Sequence, residues 1–334
     1  ALSAIPLRLL VGADPPCVVD RPGGKALNRT VAAALLSFAY VCALFALAYW
    51  TDRARRRGRS YVDNPWVYSL SLAVYCTSWT FYGSVGRAAA QGPGFLPIYV
   101  GPTLVFFLAP TVLRRLSSFC RAEGVTSLAD LLEALYGKKQ ALGTLATVLL
   151  VVGVTPYVAL QLKAVGYSFE LLTGLSPLGQ QAVLGDAAFW AALLLALFSA
   201  LFGARTLVAS ERHEGMVAAV AFESAVKLVG FLLLGAWVTW SVGGGLGRVF
   251  SRALARPDLS ALFTLSSASG TTPSQWATVS VLAAAAVVLL PRQFHMLVVE
   301  NVREEHLLPA SWAFPGYLLL INLLVFPVAL VGLL

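Results

Sequence analysis

Eight apolar stretches, each about as long as a helix that crosses a lipid bilayer, divide the chain. They lie at about 31–50, 66–86, 97–113, 141–162, 183–203, 215–240, 276–296 and 311–334. About 20 mostly apolar residues are enough for one helical span. Hydrophobic residues make up 58% of the chain and charged residues 12%, against about a quarter charged in soluble domains. The sequence therefore predicts an all-α integral membrane protein with about eight transmembrane helices.

The second stretch, whose sequence at 64–86 is NPWVYSLSLAVYCTSWTFYGSVG, differs from a plain membrane anchor. Its second half is polar and rich in small residues. Transporters use helices that are interrupted at membrane depth to build solute and ion sites, because such backbone is tolerated only beside protein or a water-filled cavity. Small residues also allow neighbouring helices to pack closely without any break. The residues alone leave both interpretations open.

Basic residues are unevenly distributed over the loops. The segment at 52–59, directly after the first apolar stretch, contains five arginines. Because cytoplasmic loops gather Lys and Arg, we expect this segment in the cytoplasm and the N-terminus outside. Membrane orientation is also a sufficient account of the net charge of +8. The sequence therefore predicts membrane lipid, and no nucleic acid, as a partner.

The segment GVTSLADLLEALYGKK, at 124–139, predicts a short amphipathic helix on the cytoplasmic surface of the membrane. Ser127 can cap the helix, with Asp130 three residues later. Leucines at 128, 131, 132 and 135 follow the spacing of one helix face. Gly137 can end the helix.

This segment also resembles the cytoplasmic segment of the sodium/solute symporter family, which includes the proline and sugar symporters. The stretch CTSWTFYGSVG resembles the first core helix of that family. Three longer stretches are more similar still to the symporter-like N-terminal membrane domains of bacterial sensor histidine kinases: DNPWVYSLSLAVYCTSWTFYGSVGRA, ERHEGMVAAVAFESAVKLVGF and LPRQFHMLVVENVREEHL. The resemblance covers about residues 60–334, and residues 1–30 stay unassigned.

The resemblance implies a fold and a location. We expect residues 31–334 to form a five-plus-five inverted-repeat core with discontinuous helices, preceded by one extra helix, in the bacterial inner membrane. The second apolar stretch would be core helix 1 and the eighth would be core helix 7. Because the sequence begins with Ala1 and ends at Leu334 inside an apolar run, we expect it to be part of a longer chain, without core helices 8 onward.

An ion site follows from the same resemblance. The family holds sodium between core helices 1 and 8. By position, Ala73 and Cys76 would offer main-chain carbonyls from the first of these helices, with Thr77 beside them. Where the proline symporters carry an acidic residue that is important for sodium, this chain has Tyr75. That departure weighs against Na⁺ as the coupling ion.

The solute site is expected next to the ion site. We predict that the helix breaks near 77–83, because Gly83 and Gly86 permit backbone shapes that other residues resist. The freed N–H and C=O groups could then bind a polar or zwitterionic ligand at the end of a half-helix. Ser78 would belong to this site, and Trp79 would supply an apolar wall.

Two charged residues lie within the sixth apolar stretch. Glu223 and Lys227 are four residues apart, which places them on one face of a helix. Charges within the membrane cost about 2.5–3.5 kcal/mol each on insertion scales and face a partner or a cavity. A structural ion pair and a role in a solute or ion pathway both stay open.

The seventh apolar stretch ends in Pro-Arg-Gln-Phe-His, at 291–295. Pro291 interrupts the helical hydrogen bonds at the point where Arg292, Gln293 and His295 arrive together. By position this is core helix 6, the other helix that the family unwinds at its substrate site. Gln293 and His295 are therefore candidates for solute contact and Arg292 for a gate, and a cap at the membrane interface is the alternative.

The sequence predicts neither a metal site nor a cofactor. His295 and His306 have no Cys or His at metal-ligand spacing. The three glycines at 243–245 are not followed by the Lys-Ser/Thr of a phosphate-binding loop. No catalytic constellation is visible, which disfavours an intramembrane enzyme.

The expected function is therefore recognition or import of a small solute, such as an amino acid, by the sensory input domain of a two-component sensor histidine kinase. In the full-length protein a kinase module and a response regulator would be its partners. The alternative is the N-terminal part of a genuine sodium-coupled symporter without a kinase.

Overall fold

The computed structural model describes residues 24–173, 213–265 and 271–334, together with isolated helical positions between 189 and 196. The regular elements of these parts are all helical. In chain order they are α1 (Gly24–Arg56), α2 (Pro65–Leu72), α3 (Ser78–Gln91), α4 (Pro97–Phe107), α5 (Val112–Glu123), α6 (Leu128–Leu135), α7 (Gln140–Thr173), α8 (Glu214–Ala236), α9 (Leu246–Ala255), α10 (Pro257–Ser260), α11 (Pro273–Leu289), α12 (Pro291–Phe294), α13 (Leu307–Asn322) and α14 (Val325–Leu333).

Several of these helices are long and apolar enough to cross a membrane. Within the described residues there are four such stretches, which are Leu35–Arg56, Gln140–Ser168, Glu214–Val242 and Glu304–Leu333. Two bent pairs raise the number to six: α4 with α5, at 71°, and Pro273–Leu289 with Pro291–Val299, at 56°. The prediction of an all-α membrane protein is confirmed at this level. The predicted stretch at 183–203 lies outside the described residues apart from isolated positions.

The second predicted span is two helices joined by an irregular segment. Helix α2 ends at Leu72, a 3₁₀ turn covers Ala73–Tyr75, and α3 begins at Ser78. Between them Cys76 is extended, with φ −81° and ψ 109°. The break therefore lies at 73–77. The predicted position near 77–83 meets it only at Thr77, because residues 78–83 are helical. Thr77 adopts the extended backbone of an N-cap residue, a position that Thr favours, so the new helix begins directly after it.

Gly83 lies inside the regular helix α3 and serves packing instead of a break. A Cβ atom added to Gly83 would lie 2.3 Å from the indole ring of Trp79. Residues four apart share one face of a helix. The indole therefore occupies the space that the missing side chain leaves.

The amphipathic helix outside the spans forms as the sequence predicts. Helix α6 covers Leu128–Leu135, and the Ser127 hydroxyl accepts a hydrogen bond from the N–H of Asp130 at 3.1 Å. Leu128 and Leu131 are buried. Gly137 follows the helix with φ +79°, a left-handed conformation that favours glycine.

The broken helix lies at the centre of the described bundle. Helix α2 packs against α8 and α13, and α3 packs against α14. Helix α4 packs along α11. The two helices are so close at Gly101 that an added Cβ would lie 2.3 Å from the carbonyl oxygen of Ser280. The break thus faces α8 on one side and the bend between α11 and α12 on another.

Candidate solute site at a broken helix

Three main-chain carbonyls at the break are bonded by side chains from other helices. These carbonyls belong to Leu72, Tyr75 and Cys76. In a continuous helix each would accept from an N–H four residues later. Within a membrane an unsatisfied backbone group costs several kcal/mol, so a break must bring its own partners.

The bend before α12 supplies two of these partners. The Nε2 atom of Gln293, whose side chain is fully buried, donates to the carbonyl of Leu72 at 3.1 Å. The Nη2 atom of Arg292 lies 3.4 Å from the carbonyl of Tyr75. Pro291 starts this short helix, and Leu290 before it is extended. The two helix interruptions therefore meet.

Helix α8 supplies the third partner. The ammonium of Lys227 donates to the carbonyl of Cys76 at 3.1 Å and lies 2.7 Å from a carboxylate oxygen of Glu223. The side chain of Lys227 is 20% exposed and that of Glu223 is 37% exposed. The two charges form the ion pair that was one of the two interpretations of their spacing, and the lysine also bonds a carbonyl that the symporter resemblance assigned to sodium.

Helix α7 covers the opening of the break. The hydroxyl of Tyr157 accepts a hydrogen bond from Nη2 of Arg292 at 2.6 Å, and the guanidinium carbon lies 4.9 Å from the centre of the tyrosine ring. The same hydroxyl is 3.5 Å from Oγ1 of Thr77. The hydroxyl of Ser78 donates to the side-chain carbonyl of Gln161.

Most of the predicted site residues therefore converge on the break. Trp79, Gly83 and His295 do not, and Ala73 lies in the break with its carbonyl already bonded. The carbonyl of Ala73 accepts from the N–H of Cys76 at 2.9 Å, which closes the 3₁₀ turn. Trp79 lies over Gly83 on α3. His295 pairs with Glu300, whose carboxylate oxygen is 3.0 Å from Nε2 of the imidazole.

Tyr157 and Gln161 also contact the residues at the break, although no motif in the sequence predicts this. They are four residues apart and polar, within the fourth apolar stretch. That spacing on one face of an apolar helix is a signal of the same kind as the pair on α8. The contributions of the Leu72 and Tyr75 carbonyls have no sequence signal, because every residue has a carbonyl.

Some buried polar atoms near the break make no hydrogen bond within the described parts of the chain. They are Oε1 of Gln293, Nε of Arg292 and Nε2 of Gln161. Buried polar groups are nearly always bonded, so each such atom needs an explanation. Helix α3 also starts here without a side-chain cap on its first N–H groups. Together these groups are several donors and one acceptor that have no side-chain partner among the described residues.

A cavity of about 810 Å³ lies beside this region. Its wall includes Thr155, Val158 and Leu162 of α7 together with Pro291, Phe294 and His295. Of the predicted solute-contact residues, His295 lines this cavity and Gln293 bonds the break instead.

A scan against protein-family models and searches of the curated proteins and the solved structures find no match to this chain.

Proposed function

We propose that the chain is the solute-binding part of a membrane protein of the sodium/solute symporter type, and that it binds a small zwitterionic solute such as an amino acid at the break between α2 and α3. The observation that carries the proposal is the set of three carbonyls at the break, each bonded by a side chain from α8 or from the bend at Leu290. A bundle that needed only packing would be served by an unbroken helix. Interrupted helices that face each other are the architecture of transporter binding sites.

The charges around the break favour a ligand that carries a carboxylate. Arg292 and Lys227 contribute two positive charges and Glu223 one negative charge. The first N–H groups of α3 point the positive end of a helix dipole at the same place, and such ends bind anions. The free Oε1 of Gln293 can accept from the ammonium of an amino acid.

Sodium is not part of the proposed binding reaction. The carbonyl of Cys76, one of the two expected ion ligands, bonds the ammonium of Lys227, and the carbonyl of Ala73 closes a turn. Tyr75 stands where the proline symporters carry an acidic residue. A fixed lysine ammonium supplies the positive charge that a sodium ion would otherwise bring.

The biological role that we propose is sensory input to a two-component histidine kinase in the bacterial inner membrane. The resemblance of the stretches around Trp79, Lys227 and Arg292 to membrane domains of such kinases supports this role. The coding sequence that follows Leu334 tests it. A downstream phosphoacceptor histidine helix with an ATP-binding domain would support the sensor, and a polar tail would favour the symporter alternative.

Ligand binding tests the site itself. The purified protein is screened with amino acids by thermal shift, once in sodium chloride and once in choline chloride. We expect one class of amino acid to raise the unfolding midpoint equally in both salts. Arg292→Gln should abolish this shift, while Arg256→Gln, which breaks an exposed ion pair with Asp258, should not. A shift that needs sodium, or one that survives Arg292→Gln, contradicts the proposed site.

Orientation is tested separately. Single cysteines at positions 57 and 246 of a cysteine-free protein are treated with an impermeant thiol reagent in whole cells. If the N-terminus is outside, position 246 should react and position 57 should not. The reverse pattern would invert the proposed topology.

A further inference from the structure

Two histidines and a glutamate meet away from the broken helix, at the start of α8. His213 directly precedes α8, His295 begins the π-helical turn His295–Val299, and Glu300 directly follows that turn. One oxygen of the Glu300 carboxylate lies 3.0 Å from Nε2 of His295 and 3.5 Å from Nδ1 of His213. One ligand atom from each of the three residues lies within 4.8 Å of the others.

We propose that His213, His295 and Glu300 bind a divalent transition-metal ion of the zinc class. Zinc takes imidazole nitrogen at about 2.0–2.1 Å and carboxylate oxygen at about 2.0–2.2 Å, in a tetrahedral arrangement. Two ligand atoms on one such ion are then about 3.4 Å apart, close to the 3.0 and 3.5 Å that separate the Glu300 oxygen from the two imidazoles. Two histidines and one glutamate are a known zinc ligand set that leaves the fourth position for water or another ligand.

The polar groups of the cluster are incompletely satisfied without an ion. The side chain of Glu300 is 1% exposed, and a buried carboxylate needs a positive partner. Among the described residues, its polar partners are the two imidazoles and the main-chain N–H of His213, at 3.2 and 3.3 Å. Neither ring nitrogen of His213 makes a hydrogen bond with any described residue, although both nitrogen atoms are buried. A metal ion would use one of these nitrogens and neutralise the carboxylate.

An ion bound at this cluster would link α8 to the bent seventh span. His213 is fixed to the beginning of α8, the helix that carries Lys227, and His295 follows Arg292 and Gln293 in the bent seventh span. A bound ion would therefore join the two elements that supply partners to the broken helix. His295 also lines the 810 Å³ cavity, so the ion would sit at its wall.

Zinc binding to the purified full chain tests the proposal, with a purification tag that contains no histidine. The protein is stripped with a chelator, and its affinity for Zn²⁺ is measured by competition with a chromogenic chelator. We expect one equivalent of Zn²⁺. His213→Gln and His295→Gln should each weaken binding by more than the 10–100-fold typical for loss of a residue that merely supports a ligand.

His306 provides a matched control, because it is the third histidine of the chain and also faces a carboxylate, that of Asp63 at 3.4 Å. His306→Gln should leave the affinity unchanged. X-ray absorption at the zinc edge of the unsubstituted protein does not depend on whether a variant folds, and should report imidazole and oxygen ligands without sulfur. The proposal would be overturned if the protein takes up no zinc, if sulfur ligates the zinc, or if all three histidine variants bind zinc with equal affinity. The cluster would then be an imidazole–carboxylate ion pair.

Discussion

The ammonium of Lys227 is bonded to the main-chain carbonyl of Cys76, 3.1 Å away and 151 positions apart in the sequence. This bond joins the middle of α8 to the extended residue that separates α2 from α3. The same ammonium neutralises Glu223. Lys227 therefore has two partners, and its replacement is expected to cost more than the replacement of Glu223.

We predict that Lys227→Met lowers the thermal unfolding midpoint of the purified protein more than Glu223→Gln does. Lys227→Met leaves the carbonyl of the fully buried Cys76 without its donor, which costs about 1–3 kcal/mol of stability. It also leaves the Glu223 charge unpaired. Glu223→Gln keeps the bond to Cys76. The double variant should be less destabilised than the sum of the two, because it removes the unpaired charge. Strict additivity would contradict a coupled pair.

Tyr75 and Pro102 are predicted to be coupled through a single carbonyl. Pro102 lies inside α4 and has no N–H to give to Ile98 four residues earlier, and the Tyr75 hydroxyl donates to that carbonyl at 2.8 Å. Tyr75→Phe should therefore cost about 1–3 kcal/mol of stability. Adding Pro102→Ala restores an N–H to the helix, so the double variant should recover part of the loss.

The control for Tyr75→Phe is Tyr136→Phe. The Tyr136 side chain is largely exposed at the end of α6, so loss of its hydroxyl should leave the unfolding midpoint unchanged. If Tyr75→Phe is as mild as this control, the hydroxyl does not satisfy the carbonyl of Ile98.

Asp130 gives a prediction about pH. Partial burial acts to raise the pKa of this carboxyl, but hydrogen bonds from Thr126, at 2.7 and 3.1 Å, and from Ser127 outweigh it and hold the pKa below its usual value. A depressed pKa stabilises the folded state above the unfolded pKa, and this contribution is lost as the pH falls through the folded pKa.

Asp130→Asn should therefore lower the unfolding midpoint at neutral pH, and its difference from the unsubstituted protein should shrink toward about pH 3. The measurement is a series of thermal melts across that range. Asp258→Asn is the control, since its ion pair with Arg256 is exposed and exposed pairs contribute little. A difference that stays constant with pH would show that the hydrogen bonds do not favour the ionised form.

Local patterns in the sequence predict α6, whereas the position of the helix break depends on residues far away in the sequence. The start of α6 depends on Ser127 and Asp130, three residues apart, so a local pattern was enough. The pair on α8 was likewise predictable from its spacing of four. The position of the break depends on donors that are up to 221 residues away, such as Gln293 for the carbonyl of Leu72. Glycines at 83 and 86 suggested a different position because their packing role has no local signature.

The last prediction separates the two explanations for Gly83. If the helix must break at Gly83, any side chain there should be harmful whatever residue stands at position 79. If Gly83 only makes room for the Trp79 indole, which a Cβ would approach to 2.3 Å, the harm should depend on the indole. We expect the second result, because α3 is continuous from Ser78 to Gln91.

Gly83→Ala should therefore lower the unfolding midpoint in the unsubstituted protein and have little effect, or a slightly favourable one, in a Trp79→Ala background. Without the clash, alanine is favoured over glycine in a helix by up to about 1 kcal/mol. Gly230→Ala, at a helical position with no described atom within 4 Å of the added Cβ, is the matched control. Equal destabilisation by Gly83→Ala in both backgrounds would mean that Gly83 is needed for its backbone freedom, which would move the functional break back toward the position that the sequence first indicated.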